Sequence, residues 1–289
     1  MNSLIPPIIF IGMHRSGTSL LGRLLDDLGL FSGTRKDVNN ESLFFQKLNE
    51  WLLNQAGGRW DHPDPIRHLL NEPDTSDLID DYLKTMLSSP RLIEFLGISR
   101  YWHHRRIVDG LPYPWGWKDP RNTFTLPIWL RLFPEAKVIY IERHGVDVAD
   151  SLSTRRSKSV TQLADRYYKL RPLYWLYEKR TGFSDSSRCM TLEGAFSLWE
   201  EYVQMGRRLV SDLAPENVLI LKYEDLLQNP KATLDLAGNF CHLTFSDSDV
   251  ARAVSQIEPS RSYAFQKQPK LVDFAQGVEN RLLGYDAQY

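Results

Sequence analysis

The chain has 289 residues, 42% hydrophobic and 25% charged, enough to bury a sizeable core as one large or two small α/β domains, which excludes a disordered or fibrous protein. Lys and Arg number 35 against 36 Asp and Glu, and the resulting net charge of −1 argues against a generic nucleic-acid binder. Only two cysteines occur, Cys189 and Cys241, which gives neither a disulfide framework nor metal-ligand spacing and suits a reducing compartment.

The first residues lack a signal-peptide pattern, and no apolar run approaches the roughly 20 residues of a membrane span, so the expectation is a cytoplasmic protein. Pro7 to Leu21 is the densest stretch. Ile8 to Ile11 reads as a strand buried on both faces, Gly12 to Gly17 as a glycine-bounded turn, and Leu20, Leu21, Leu24, Leu25 and Leu28 as the apolar face of a helix ending near Gly29. Strand, glycine loop and helix start together make an anion site, because free backbone N–H groups converge where the helix dipole is positive. Against the Walker pattern, Gly12 and Gly17 have the right spacing and Ser19 holds the hydroxyl position. Thr18 stands where the lysine belongs, however, and the cation sits inside the loop at Arg15. A nucleoside triphosphatase needs that lysine and a metal. This loop suits a ligand with one phosphate and a second anionic group.

A second helical pattern runs through Leu43, Phe44, Leu48, Trp51 and Leu52, with Asn39 and Asn40 as candidate caps. Glu41 at its start either faces the first loop or complements the helix dipole. Residues 54–75, with Gly57, Gly58, Trp60, His62 and His68, read as a long surface loop. A polar helix follows from Ser76 to about Ser88, and then irregular chain to Pro114. Trp115 to Arg121 reads as a strand stopped by Pro120, with a helix from about Thr123. Lys118 there is either a second point charge for an anion, steadied by Asp119, or half of a surface pair.

Ala136 to Ile141 is a buried strand ending at Arg143, and a helix through Val148 carries Ser151 and Arg155 one turn apart. That Arg–Ser–Arg row suits a second phosphate. Residues 160–213 read as helical, broken at Pro172 and from Thr181 to Arg188; their aromatics read as packing, with a mobile lid as the sharper alternative. Asn217 to Leu221 is a further strand, followed by Tyr223 to Leu227 and by helices from Pro230 and Asp247. Strands alternating with helices, without repeats, give an α/β fold: a single three-layer, doubly wound parallel sheet forming one domain over residues 1–289.

Taken together, the motifs resemble a known family. Gly12-Met13-His14-Arg15-Ser16-Gly17-Thr18-Ser19 resembles the 5′-phosphosulfate loop of sulfotransferases that use 3′-phosphoadenosine-5′-phosphosulfate (PAPS). Arg143 and Ser151, eight apart, resemble that superfamily's 3′-phosphate motif, and Tyr223-Glu224-Asp225-Leu226 with Asn229-Pro230 is similar to its segment after a late strand. Arg-Ser-Gly-Thr and Lys-Asp-Pro place the resemblance in the branch of tyrosylprotein and bacterial sulfotransferases.

It implies that Gly12, His14, Arg15, Ser16, Gly17, Thr18 and Ser19 form the donor loop, with Gly17, Thr18 and Ser19 on the 5′-phosphate. Arg15 and Lys118 would contact the sulfuryl group, and Arg143, Ser151 and Arg155 the 3′-phosphate. Tyr223 would lie at the adenosine end, Ser260 beside the sulfonate, and Glu41 would be the general base. The implied reaction is metal-independent transfer to an acceptor hydroxyl (glycan, small molecule or tyrosine), leaving adenosine 3′,5′-bisphosphate. The lysine in the loop, separate catalytic histidine and C-terminal Arg-Lys-Gly motif of the cytosolic branch are not found. A degenerate P-loop kinase or NTPase, needing Mg²⁺ and an acidic ligand such as Asp225, and a non-catalytic nucleotide-binding module are the alternatives.

Overall fold

The structure, a computed structural model, describes residues 4–107, 109–179 and 182–286. It contains two compact units, Met1–Arg143 with Tyr202–Ser262, and His144–Glu201 with Tyr263–Tyr289.

The first unit is built on four strands: β1 (Ile8–Ile11), β2 (Gly116–Lys118), β3 (Lys137–Glu142) and β4 (Val218–Lys222). All pair in parallel, in the order β2-β1-β3-β4. The order reverses between β1 and β3. In doubly wound sheets that is where a crevice opens outside the carboxyl ends of the strands. β1 is apolar at every position because both of its faces are covered.

Helices α1 (Thr18–Asp27), α2 (Leu43–Gln55), α3 (Ile66–Leu70), α4 (Pro73–Met86), α5 (Ile93–His103) and α6 (Asn122–Leu132) occupy the first half of the chain. The long α7 (Gly145–Leu170) and α8 (Leu192–Ser211) follow, then α9 (Tyr223–Gln228), α10 (Pro230–Phe240), α11 (Asp247–Val254), α12 (Pro269–Gly277) and α13 (Glu279–Asp286). Ile8, Phe10, Ile139, Ile141 and Leu221 pack one sheet face against α1, α9, α10 and α11. Opposite, Asn122 of α6 donates to the Phe10 carbonyl, and a Cβ on Gly206 of α8 would come within 2.8 Å of the Tyr140 ring. Trp117 stacks on Phe45 of α2 with centroids 3.9 Å apart. The sheet therefore has a helical layer on each side, the three-layer α/β fold expected.

Two stretches differ from expectation. Residues 54–75 are not one long loop: α3 forms within them, and α4 begins at Pro73 rather than Ser76. The Glu72 carboxylate accepts the Thr75 amide, and Pro73 takes the first helical position, where its missing N–H costs nothing. The irregular chain expected before Pro114 contains α5, bent at Gly97 with φ of 74°.

In the second unit the Asp147 carboxylate of α7 accepts the amides of Ala264 and Phe265, and the His144 ring stacks on Phe265 at 4.5 Å. Arg281 of α13 pairs with Glu193 and Glu200 of α8. The break expected from Thr181 to Arg188 is present from Gly182 onward, Thr181 itself lying outside the described residues. No helix among the described residues is long and apolar enough to cross a membrane.

Candidate active site

The loop after β1 lies at the switch point and depends on backbone that other residues tolerate poorly. Gly12 has φ of 136°, and a Cβ there would sit 2.4 Å from the Ile141 carbonyl oxygen; Gly17 has φ of 97°, and its Cβ would sit 2.2 Å from Tyr223 Cδ2. Arg15 is left-handed too, at φ 70°, a conformation that costs a non-glycine residue energy and recurs at ligand clamps. Thr123 Oγ1 accepts the Gly12 amide at 2.9 Å, and Ser16 Oγ donates to the Met13 carbonyl at 2.6 Å. Arg143 Nη1 donates to the Arg15 carbonyl at 3.2 Å, while its guanidinium lies 4.7 Å over the Tyr223 ring.

Gly17 caps α1 without a side-chain acceptor, and the first turn carries no acidic residue. The positive end of such a helix suits an anion.

Lys118 ends β2 beside this loop and is 2% exposed, so it is no surface strand end. Its ammonium donates to Ser19 Oγ at 3.0 Å and to Glu41 Oε1 at 3.0 Å. Asp119 does not steady it, as the sequence suggested. The Asp119 carboxylate instead takes Arg121 Nη1 through both oxygens, at 3.0 and 2.9 Å, and Asn49 Nδ2 at 2.9 Å, because the chain turns at Pro120 and carries Asp119 away from the lysine. Arg121 Nη1 also stands 3.7 Å from Glu41 Oε2, which accepts from Gln46 at 3.1 Å, and Arg121 Nη2 reaches Glu50 at 3.0 Å.

Glu41 precedes the true N-cap, Ser42, rather than following caps at Asn39 and Asn40. Asp37 orients it by accepting its amide at 2.8 Å. Burial first, and then the Asp119 charge, push its carboxyl up to about 7 against the pull of Lys118 and Arg121. Arg121 moves upward as well, the carboxylates of Asp119, Glu41 and Glu50 outweighing its burial.

Of the residues singled out in the sequence, the first unit brings together the 12–19 loop, Lys118, Glu41, Arg143 and Tyr223. Arg15 is exposed, and His14 is half-buried, edge-on to Trp60 at 4.8 Å. Ser260 is exposed and donates to Glu258 at 3.1 Å; the neighbouring Arg261 carbonyl accepts Arg143 Nη2 at 3.4 Å. Ser151 and Arg155 lie on α7 in the second unit, where Arg155 pairs with Asp185 at 3.0 Å.

Asn49 and Arg121 were missed. Asn49 is fully buried, and its Oδ1 accepts Thr125 Oγ1 and Trp129 Nε1 at 2.8 and 2.9 Å while its Nδ2 serves Asp119 and Asn122. An amide set between Phe45 and Leu53 on the apolar stripe of α2 was the available signal.

A parallel α/β sheet with a glycine-bounded loop and an uncapped helix start at its switch point suits an anionic ligand. The profile described as "Sulfotransferase family" matches residues 6–247, and the chain belongs to that family. No curated protein matches the chain. Solved structures similar to it include sulfotransferase STF1 from Mycobacterium tuberculosis H37Rv, at 17% identity and TM-score 0.48, covering 88% of this chain and 72% of that one. The sulfotransferase domain from the curacin biosynthetic pathway has 15% identity and TM-score 0.46, covering 96% and 99%. A sulfotransferase from Alicyclobacillus acidocaldarius has 15% identity and TM-score 0.46, covering 97% and 95%.

Proposed function

We propose that this sulfotransferase takes its sulfuryl group from PAPS and passes it to an acceptor hydroxyl, with Lys118 and Arg15 as the cations at the reacting centre and Glu41 as the base. One observation carries the reading: a buried lysine bridges the hydroxyl of the glycine loop and a carboxylate whose affinity for protons is raised to about neutrality. The cradle fits a phosphate, since α1 begins without a side-chain cap and without an acidic residue in its first turn, and Lys118 reaches the Ser19 hydroxyl beside it.

The amides of Gly17, Thr18 and Ser19 and the Ser19 hydroxyl would hold the 5′-phosphate, and Arg143, above Tyr223, would lie on its nucleoside side. The donor, once bound, supplies a sulfuryl group whose S–O bond to the phosphate breaks with the electron pair passing to the phosphate oxygen. Lys118 then faces charge that grows on that oxygen, a fixed cation that needs no reorganisation. Glu41 accepts the proton that the acceptor hydroxyl loses as its oxygen bonds to sulfur.

Calorimetric titration with adenosine 3′,5′-bisphosphate and with ATP–Mg²⁺ tests the donor. The bisphosphate is expected to bind at least about tenfold more tightly, a difference of roughly 1.4 kcal/mol. Tight ATP–Mg²⁺ binding with no bisphosphate binding would overturn the assignment.

A further inference from the structure

Beside Arg121 the first unit opens into a cavity of about 190 Å³ lined by Glu50, Leu53, Asn54, Arg59, Trp60 and Arg121. Two of its walls are shared with the candidate active site. Arg121 stands 3.7 Å from the Glu41 carboxylate, and Trp60 is edge-on to His14 of the glycine loop at 4.8 Å. Arg121 and Trp60 thus stand between the cavity and, respectively, the base and the loop, which do not themselves line it.

Its walls are held from behind. Tyr202 Oη donates to the Trp60 carbonyl at 2.8 Å, and Phe124 meets the Tyr202 ring edge-on at 4.7 Å. Arg121 fixes Glu50 at 3.0 Å, and Asn54 follows one turn later on α2.

The lining selects among hydroxyl acceptors. It offers one aliphatic side chain, Leu53, one indole, and four planar hydrogen-bonding groups in Glu50, Asn54, Arg59 and Arg121, the last already paired with Glu50. A phenol or an alkyl alcohol needs an apolar slot with few polar groups. A polyhydroxylated ring needs an aromatic platform for its C–H face and planar polar groups that pair with neighbouring hydroxyls. At about 190 Å³ the cavity falls below the roughly 300–1,000 Å³ of drug-sized sites, which suits a single ring with the rest of the molecule outside.

We propose that this cavity is the acceptor site and that the acceptor is a saccharide, one sugar ring lying on Trp60 with its hydroxyls paired to Glu50, Asn54 and Arg59. The proposal rests on the PAPS reading above. The reacting sugar hydroxyl gives its proton to Glu41 as its oxygen bonds to sulfur, and the phosphate leaves with the electron pair of the broken S–O bond.

Saturation-transfer NMR on the purified chain with adenosine 3′,5′-bisphosphate present tests it. The probes are methyl glycosides of glucose, galactose, mannose and N-acetylglucosamine, with N-acetyltyrosine amide and cyclohexanol as comparators. At least one glycoside is expected to bind, and to weaken about tenfold or more in Trp60→Ala and in Asn54→Leu, while bisphosphate affinity stays within about twofold. No glycoside binding, glycoside binding unchanged in both variants, or a Trp60-dependent preference for either comparator would overturn the proposal. Failure of the bisphosphate itself to bind overturns the donor reading, whereas bisphosphate binding without any glycoside signal overturns the cavity assignment alone.

Discussion

Replacing Glu41 by Gln keeps the size and hydrogen-bonding shape of the side chain and removes the proton acceptor. With the carboxyl at about 7, only about one Glu41 in ten is ionised at pH 6, whereas a carboxyl at the ordinary 4.5 would be almost wholly ionised. For the wild-type chain kcat/KM should therefore rise about tenfold per pH unit below neutrality and level off above pH 7. The Glu41→Gln variant should lose roughly 10²–10⁴-fold in kcat/KM and lose that inflection with it.

Stability gives a second readout that needs no donor. The folded chain holds a proton on Glu41 more tightly than the unfolded chain, so this group's contribution is fully present below about 4.5 and is lost as pH rises towards 7. Urea unfolding should show about 3 kcal/mol falling away across that window in the wild type, and no such slope in the variant. The slope is the measure rather than the level, because the same substitution strips Lys118 of its counter-charge. A flat kcat/KM from about pH 5.5 to 8, or a Gln variant with more than about a tenth of wild-type activity, would refute the base assignment.

Lys118→Met should lower kcat about 10²-fold or more with little change in fold, since it removes a cation placed at growing charge; full turnover would remove Lys118 from the mechanism. Gly17→Ala should abolish bisphosphate binding in calorimetry and lower the thermal midpoint, because its Cβ would stand 2.2 Å from the Tyr223 ring at φ of 97°; overpacking of roughly 1–3 kcal/mol shifts Tm by several degrees. Asp119→Asn should move the acid limb of the kcat/KM profile to lower pH, since a negative neighbour that raises Glu41 is gone and Arg121 loses the partner that neutralises it; a shift to higher pH would contradict the charge arrangement.

The frame of the fold was legible because its signals are local. Four apolar runs bounded by glycine, proline or charge became four parallel strands, and Gly12 and Gly17 marked the two places where backbone must approach Ile141 and Tyr223 closely. What stayed hidden was pairing over long sequence separations. Nothing local says that Lys118 takes Glu41, 77 residues away, rather than Asp119 beside it. The choice follows from how β2 ends and where α2 lies. Asn49 joins α2 to Asp119 and Asn122 across 70 and 73 residues, and in the sequence it is one polar letter in an apolar stripe. α5 was missed because Gly97 breaks its periodicity, although Gly97 needs its positive φ there.

The buried charges themselves argue for chemistry over stability. Lys118 and Arg121 face Glu41 and Asp119 almost out of water, and a buried ion pair is weak support for a fold because desolvation offsets its attraction. Apolar side chains of similar volume would serve the core as well. With Glu41 ionised, those four groups sum to zero; with Glu41 protonated they carry one net positive charge beside the loop. Proton uptake by Glu41 from an acceptor hydroxyl would release Lys118 from its counter-ion at the moment negative charge appears on the leaving phosphate oxygen. The two halves of the transfer would then be joined by one hydrogen bond, Lys118 Nζ to Glu41 Oε1.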